Sequence, residues 1–303
     1  MPLIGAGRLI LGACAVLAVV AAVGRLANAE PAQLERGAYI FAAAACAACH
    51  TNVKEKGALL AGGRALATPF GTFHSPNITA DPEHGIGRWS DAEFIRALRE
   101  GVAPDGSSYF PVFPYTSFTK MTDADMIDLK AYILSLPAVA QPDKPHDIDF
   151  PFGWRLTLTP WRWLNFTEGA LETDFGQSAE WNRGAYLVEA LGHCGECHTP
   201  RGWLGGLDTD EAFSGTAKGP DGGKVPNITP DEATGIGTWS DRDITGLLKT
   251  GILPDGDVVG SVMGEVINQG TSRLTDDDRA AIAAYLRSLP PIENPDAKAI
   301  KAE

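Results

Sequence analysis

The chain has 303 residues, a hydrophobic fraction of 44% and a charged fraction of 21%, values typical of a folded globular protein long enough for two domains. Its formal net charge of -13 has the wrong sign for a surface that neutralises phosphates, so we expect no nucleic-acid partner. Five cysteines are too few for a disulfide-built scaffold of this length.

The first 29 residues have the layout of a secretory signal peptide. A positive charge at Arg8 precedes an apolar run of 15 residues at 9–23, and small residues at 27–29 form a cleavage site. The run is shorter than the roughly 20 residues of a membrane-spanning helix, so we predict cleavage after Ala29, with retention as an N-terminal anchor as the alternative. Cleavage removes Cys14 and two arginines and so changes the net charge from -13 to -15. The signal peptide predicts export to the periplasm or to the periplasmic face of the inner membrane.

The rest of the chain repeats itself. Two copies of Cys-x-x-Cys-His, at 46–50 and 194–198, are 148 residues apart, and matching strings surround them at offsets of 147 to 153. The matching pairs are RGAY at 36–39 and 183–186, PNIT at 76–79 and 226–229, GIGRWSD at 85–91 and GIGTWSD at 235–241, and KAYILSLP at 130–137 and AAYLRSLP at 283–290. This self-similarity predicts two homologous domains, at 33–137 and 180–290, followed by a tail at 291–303.

Each repeat is predicted to contain three helices and little strand. The first helix leads into the Cys-x-x-Cys-His motif, with apolar residues along one stripe. The second begins at a capping box at Ser90 or Ser240 and ends, in the first copy, near Gly101. The last begins at Thr122 or Thr275, with acidic residues in its first turn, and stops before a proline. The fold class is therefore predicted to be all-α, with long loops that need something to pack around.

Residues 138–179 form a linker between the repeats that is rich in proline and tryptophan. We predict that its large rings, among them Trp154, Trp161 and Trp163, pack along the two domains, because a flexible linker would be richer in Gly and Ser. The alternative is an exposed aromatic patch that docks a partner.

The two pentapeptides predict two covalently bound haem c groups. In Cys-x-x-Cys-His the thiols form thioethers with the macrocycle and the histidine is the proximal iron ligand. The residues with these roles are Cys46, Cys49 and His50 in the first repeat and Cys194, Cys197 and His198 in the second. Three other interpretations of the motif are weaker. A thioredoxin-like pair would need a βαβ pattern, and a zinc site would need further ligands. A disulfide inside the motif would add little to the stability of the fold. The mature protein should then have no free thiol and no disulfide.

Together with RGAY, PNIT, GIG-x-WSD and the AY-x-x-SLP ending, the motifs resemble the cytochrome c subunits of membrane-associated alcohol, sugar and aldehyde dehydrogenases. The resemblance runs from about residue 33 to 290 and implies two tandem class I cytochrome c domains. Alcohol-dehydrogenase members typically carry three haems, whereas this chain has two motifs. The resemblance implies an electron-transfer subunit, without catalysis of its own, that takes electrons from a periplasmic or membrane-bound dehydrogenase. It would pass them to the respiratory chain through another cytochrome, a quinone site or an oxidase, and could associate with a membrane surface.

The sixth iron ligand of a class I domain is usually a methionine on the loop before the last helix. Met263 lies on that loop in the second repeat and is the predicted ligand there. In the first repeat Phe113 stands at the matching position, so Met121 is the predicted ligand, with another ligand such as His74 or an open site as alternatives. Met126 lies on an apolar helical stripe and is predicted to be a core residue. An open site would favour a second function, a di-haem peroxidase or sulfur-compound oxidase.

A few other residues could contact a haem. Trp89, Trp239, Asn77 and Asn227 either line haem edges and propionates or have a packing role. The histidines at 84, 146 and 193 are predicted to be ordinary surface or packing residues.

Overall fold

The computed structural model describes residues 29–219 and 222–299, so the predicted signal peptide lies outside the described residues apart from Ala29. The described residues from Pro31 onward form one unit. The α-helices are α1 (Pro31–Ala43), α2 (Cys46–His50), α3 (Asp91–Glu100), α4 (Tyr115–Phe118), α5 (Asp123–Ser135), α6 (Leu158–Asn165), α7 (Ala179–Ala185), α8 (Gly195–His198), α9 (Asp241–Thr250), α10 (Ser261–Gln269) and α11 (Asp276–Ser288). Within the described ranges, no helix combines the length and the apolar character that crossing a bilayer requires.

The predicted helix starts are confirmed by their caps. The Ser90 hydroxyl accepts a hydrogen bond from the Glu93 backbone N–H, and the Glu93 carboxylate accepts one from the Ser90 backbone N–H, which closes the predicted capping box of α3. Helix α9 begins with the same box at Ser240, and the last helices begin at the Thr122 and Thr275 caps. Each cap uses residues within three positions of one another, so the local sequence was sufficient to locate these helices.

The first and last helices of each repeat cross at a glycine of the RGAY string. A Cβ on Gly37 would lie 2.1 Å from the Asp128 carbonyl oxygen of α5, and a Cβ on Gly184 would lie 2.0 Å from the Ala281 carbonyl oxygen of α11. The arginine of the same string forms an ion pair with the last helix, Arg183 with Asp278 at 2.7 Å in the second repeat and Arg36 with Asp128 at 2.6 Å in the first. The arginine and glycine of RGAY therefore fasten two helices of one repeat together.

The tyrosine of RGAY bonds to the other repeat. The Tyr39 hydroxyl donates to Asp278 at 2.5 Å and accepts from the backbone N–H of Thr275 at 3.0 Å. The Tyr186 hydroxyl does the same in reverse, donating to the Asp125 carboxylate at 2.5 Å and accepting from the Thr122 backbone N–H at 3.1 Å. Burial and these carboxylates raise the pKa of both tyrosines, which keeps the hydroxyls protonated as donors. The two repeats are thus joined by reciprocal contacts at the starts of their last helices.

The two repeats differ in their strands and in the helix that leads to the motif. Strands β1 (Ala65–Thr68) and β2 (Gly71–His74) of the first repeat form an antiparallel hairpin, and β3 (Asp147–Ile148) extends it from the predicted linker. In the second repeat, α7 continues into a π-helical turn at Tyr186–Leu191 before the second motif. The fold is all-α in its main elements, and part of the linker belongs structurally to the first repeat.

The prediction that the linker rings are packed is wrong for two of the three tryptophans. Trp161 is half-buried and its indole N–H donates to the Leu204 carbonyl at 2.9 Å, but Trp154 and Trp163 are exposed. They lie among other large apolar side chains that are each more than half exposed. We call this set the aromatic surface: Phe150, Trp154, Leu156, Trp163, Leu164 and Trp203. The alternative interpretation, an exposed patch, is the one that the structure supports.

Candidate haem sites

Each Cys-x-x-Cys-His motif ends in a short helix. In the first repeat α2 contains the whole motif, Cys46–His50, and in the second α8 covers Gly195–His198. Residues three positions apart share one face of a helical turn, so the two thiols of each motif lie on the same side. That arrangement suits two attachment points on one macrocycle and an axial ligand directly after them.

Both motif histidines are oriented by a backbone carbonyl. The Nδ1 atom of His50 lies 2.8 Å from the Pro76 carbonyl oxygen, and Nδ1 of His198 lies 2.8 Å from the Pro226 carbonyl oxygen. Because a carbonyl can only accept, Nδ1 carries the proton and Nε2 is the nitrogen left to ligate a metal. Burial lowers the pKa of both imidazoles, which favours the neutral, ligating form.

The prolines belong to the PNIT strings, whose role the sequence did not reveal. Each string lies tightly against the residues after its motif: Gly62 donates its N–H to the His50 carbonyl at 2.9 Å, and a Cβ there would lie 2.5 Å from Pro76. Gly215 repeats this contact with the His198 carbonyl at 2.7 Å. A backbone carbonyl has no signature of its own in a sequence, so only the structure identifies the histidine's partner.

The asparagines of PNIT fix the same loop from its other side. The Asn77 amide donates to the Val139 and Gln141 carbonyls at 2.8 and 2.9 Å, and the Asn227 amide donates to the Ile292 carbonyl at 2.7 Å. All these acceptors follow the last helix of the same repeat. Of the two predicted alternatives, the structural one therefore accounts for the amide groups of both asparagines.

The motif cysteines are in no disulfide within the described part of the chain. Burial raises the pKa of the Cys46 and Cys194 thiols to about 12, which disfavours the thiolates that a redox pair or a zinc site would use. The described residues also bring together no group of three His, Cys, Asp or Glu side chains able to hold a metal ion. In each motif, two cysteines beside an oriented imidazole fit the donor set of haem c.

Of the three methionines among the described residues, two are fully buried and one is half-buried. Met126 is fully buried in α5, which confirms its core role, and Met121 is equally buried, with its carbonyl accepting from the Arg99 guanidinium at 2.7 Å. Met263 is half-buried. The expected ligand loop around it is instead the helix α10, which also contacts α2 of the first repeat. The two sixth-ligand assignments, to Met121 and Met263, stay predictions.

The histidines outside the motifs have mainly packing roles. His146 lies edge-on to the Phe110 ring at 5.9 Å between centroids, and His193 lies edge-on to Phe118 at 5.4 Å. His74, the fallback ligand, is on β2, and its Nδ1 is buried without a hydrogen-bond partner among the described residues.

Comparison with known proteins agrees with this donor set. The cytochrome c family profile matches residues 34–137 and 182–290. A diheme cytochrome c-type protein of Cereibacter sphaeroides is 44% identical over 265 residues, covering 86% of this chain and 87% of that protein. The cytochrome c subunit of the quinone alcohol dehydrogenase of Komagataeibacter europaeus is 41% identical over 287 residues, with 89% of this chain and 59% of the subunit covered. The fructose dehydrogenase cytochrome subunit of Gluconobacter japonicus is 40% identical over 266 residues, with 87% of this chain and 54% of the subunit covered.

The chain thus spans little more than half of the alcohol and fructose dehydrogenase subunits that it matches. The two matched segments each contain one motif, one PNIT string and one last helix. With these matches and two copies of a haem c donor set, the chain belongs to the cytochrome c family.

Proposed function

We propose that the protein is a di-haem c-type cytochrome that carries electrons from a dehydrogenase to the respiratory chain. The observation that carries the proposal is the duplicated site, in which a proline carbonyl orients each motif histidine at the same 2.8 Å distance. The similar proteins include cytochrome subunits of alcohol, fructose and gluconate dehydrogenases, which supports a dehydrogenase as the electron donor. Bound haem supplies the one-electron chemistry, and the chain supplies attachment, ligand orientation and burial.

Eight residues are proposed to hold the two haems. The thioether positions are Cys46, Cys49, Cys194 and Cys197, the proximal ligands are His50 and His198, and the sixth ligands are Met121 and Met263. The proposed domains are 33–137 and 180–290, and the proposed location is the periplasm after removal of residues 1–29. An acidic chain of this kind would be attracted to a basic patch on its partner, most strongly at low salt.

A potentiometric and optical titration of the purified holo protein tests the function. We expect two one-electron waves and, in the oxidised protein, a sulfur-to-iron charge-transfer band from each haem.

The Met121→Ala variant should lose one band and lower one potential, because a methionine ligand raises the potential of a histidine-ligated haem. A spectrum and potential unchanged by Met121→Ala would exclude that ligand. Peroxide turnover by the unsubstituted protein would instead support the di-haem enzyme.

The aromatic surface is proposed to rest on an anionic lipid bilayer. It lies on α6 and its flanking turns, and on a neighbouring loop at 203–204 that the Trp161 indole binds. Residues 150–167 contain two arginines and no acidic residue, although the chain as a whole has 38 acids against 25 bases. Exposed tryptophan and leucine side chains favour the membrane interface, and this segment has no acidic residue to repel an anionic headgroup. The two guanidinium groups pack over the Phe110, Tyr115 and Phe166 rings.

Vesicle flotation tests this surface, using holo protein that begins at Glu30 and vesicles of phosphatidylethanolamine and phosphatidylglycerol. We expect the Trp163→Ser, Leu164→Ser, Trp203→Ser triple variant to bind at least about tenfold more weakly, because three large apolar side chains no longer enter the bilayer. The matched control is Ile252→Ser with Val258→Ser, two other exposed apolar residues, which should bind like the unsubstituted protein. Equal flotation of both variants, or binding to the dehydrogenase without binding to vesicles, would contradict a lipid-facing role.

A further inference from the structure

The two haem motifs are surrounded by different charges. In the second repeat Glu196 lies inside the motif, between Cys194 and Cys197, and it is only 8% exposed. Its match in the first motif is Ala48, at the same offset of 148 residues that separates the motifs. The two sites therefore differ in charge: the second motif contains a buried carboxylate where the first contains an alanine.

Three donors from two repeats hold the Glu196 carboxylate in place. Its Oε1 atom accepts from the Thr116 hydroxyl at 2.5 Å and the Ser117 hydroxyl at 3.1 Å, both on α4 of the first repeat. Its Oε2 atom accepts from the Arg201 guanidinium at 2.5 Å. The side chain is therefore fixed beside the attachment site and cannot swing away to water.

The ion pair with Arg201 does not cancel the negative charge at this place. The Arg201 side chain is 34% exposed and that of Glu196 is 9% exposed, so water screens the cation more than the anion. A second carboxylate, Glu189, lies one helical turn before the motif, where it accepts from Lys120 at 2.5 Å and from the Tyr285 hydroxyl. Its match in the first repeat is Ala42.

At the first motif, the more buried member of the neighbouring ion pair is an arginine. The Arg64 guanidinium donates to the Ala48 carbonyl within that motif and pairs with Glu265 of α10 at 2.5 Å. Here the arginine is the more buried partner, 18% exposed against 41% for the glutamate. By the same screening argument, the less screened member of the ion pair is the cation at the first motif and the carboxylate at the second.

We propose that the buried Glu196 carboxylate lowers the reduction potential of the haem held by the second motif. The inference rests on the proposed di-haem function. A haem iron gains one positive charge when it loses an electron, and a fixed carboxylate in a poorly hydrated site stabilises that oxidised form more than the reduced one. The effect should be larger on the haem of the second motif, because Glu196 lies between the two cysteines that attach it, and the matching Ala48 supplies no charge to the first motif.

The test compares Glu196→Gln with Arg201→Gln in potentiometric titrations of the holo protein. Glutamine keeps an oxygen for the Thr116 and Ser117 hydroxyls but removes the charge, so one of the two waves should rise. The expected size is on the order of tenfold in the electron-transfer equilibrium constant, which for one electron is about 59 mV. Arg201→Gln leaves the carboxylate without its cation, so the same wave should fall. The other wave should shift less than this one in both variants, because its haem is attached to the other motif.

A matched control and the optical spectrum separate charge from structural damage. Glu168→Gln, an exposed acid in the linker, should leave both waves unchanged. An unaltered sulfur-to-iron band in both variants shows that the ligands are kept. The proposal is overturned if neither wave moves, or if both variants shift the same wave in the same direction, as loosened packing would do. A failure of the proposed function is seen separately, as fewer than two haems in the unsubstituted protein.

Discussion

Replacing Cys194 and Cys197 together by alanine is expected to lower the covalent haem content from about two haems per chain to about one. The two motifs lie on separate helices, α2 and α8, and each histidine has its own proline carbonyl as a partner. The first haem is proposed to be attached through Cys46 and Cys49, which are unchanged in this variant, so it should still be attached. The ratio is measured by pyridine haemochrome absorbance against protein mass, and by intact mass spectrometry of the secreted chain.

The control for this experiment is Cys14→Ala. Cys14 belongs to the predicted signal peptide, so its loss should leave the haem ratio unchanged. The converse variant, Cys46→Ala with Cys49→Ala, should also retain one haem, and the two single-haem proteins should differ in potential. A ratio that stays near two in either variant, or a chain that loses both haems at once, would show that the motifs are not independent attachment sites.

The parts of the fold that the sequence predicted correctly are those determined over a few residues. The capping box at Ser90, the Thr122 cap and the Cys-x-x-Cys-His spacing each depend on groups within five positions, and each is present as expected. Because the chain is repeated, each of these local predictions applies at two places. The helical class and the cysteine and histidine candidates follow from such signals.

The parts that could not be predicted depend on contacts between distant positions. The string RGAY shows that Tyr39 and Tyr186 match, but not that each hydroxyl bonds to the last helix of the other repeat, 239 and 61 residues away. The exposure of Trp163 was mispredicted because composition shows that a ring is apolar and not whether another element covers it. Glu196 gave no signal, since the middle positions of the haem motif admit any residue.

These long-range contacts link the helix crossing of the second repeat to the contact between the repeats. Asp278 accepts from Arg183 of its own repeat and from Tyr39 of the other, so one side chain fixes both the helix crossing and the repeat interface. The π-turn at Tyr186–Leu191 connects the crossing directly to the second motif. A displacement of α7 should therefore disturb the contact between the repeats as well as the packing of one of them.

Replacing Gly184 by alanine tests that dependence and is expected to destabilise the protein by about 1–3 kcal/mol. The new methyl group would lie 2.0 Å from the Ala281 carbonyl oxygen and 2.7 Å from the Tyr285 Cβ, so α7 and α11 must move apart. The free energy of unfolding is measured by urea denaturation of the holo protein, followed by circular dichroism. Because Tyr186 follows Gly184 by two residues, the shifted helix should also weaken the bond to Asp125.

The matched control is Gly246→Ala in α9. A Cβ at that position meets nothing within 4 Å, so the substitution should stabilise the protein by about 0.5–1 kcal/mol through helix propensity alone. The two substitutions each add one methyl group to a helix, and we expect them to change the free energy of unfolding in opposite directions. If Gly184→Ala were as stable as Gly246→Ala, the close crossing of α7 and α11 would not exist in solution. If it were less stable but kept the full Tyr186 contact, the crossing and the repeat interface would be energetically separate.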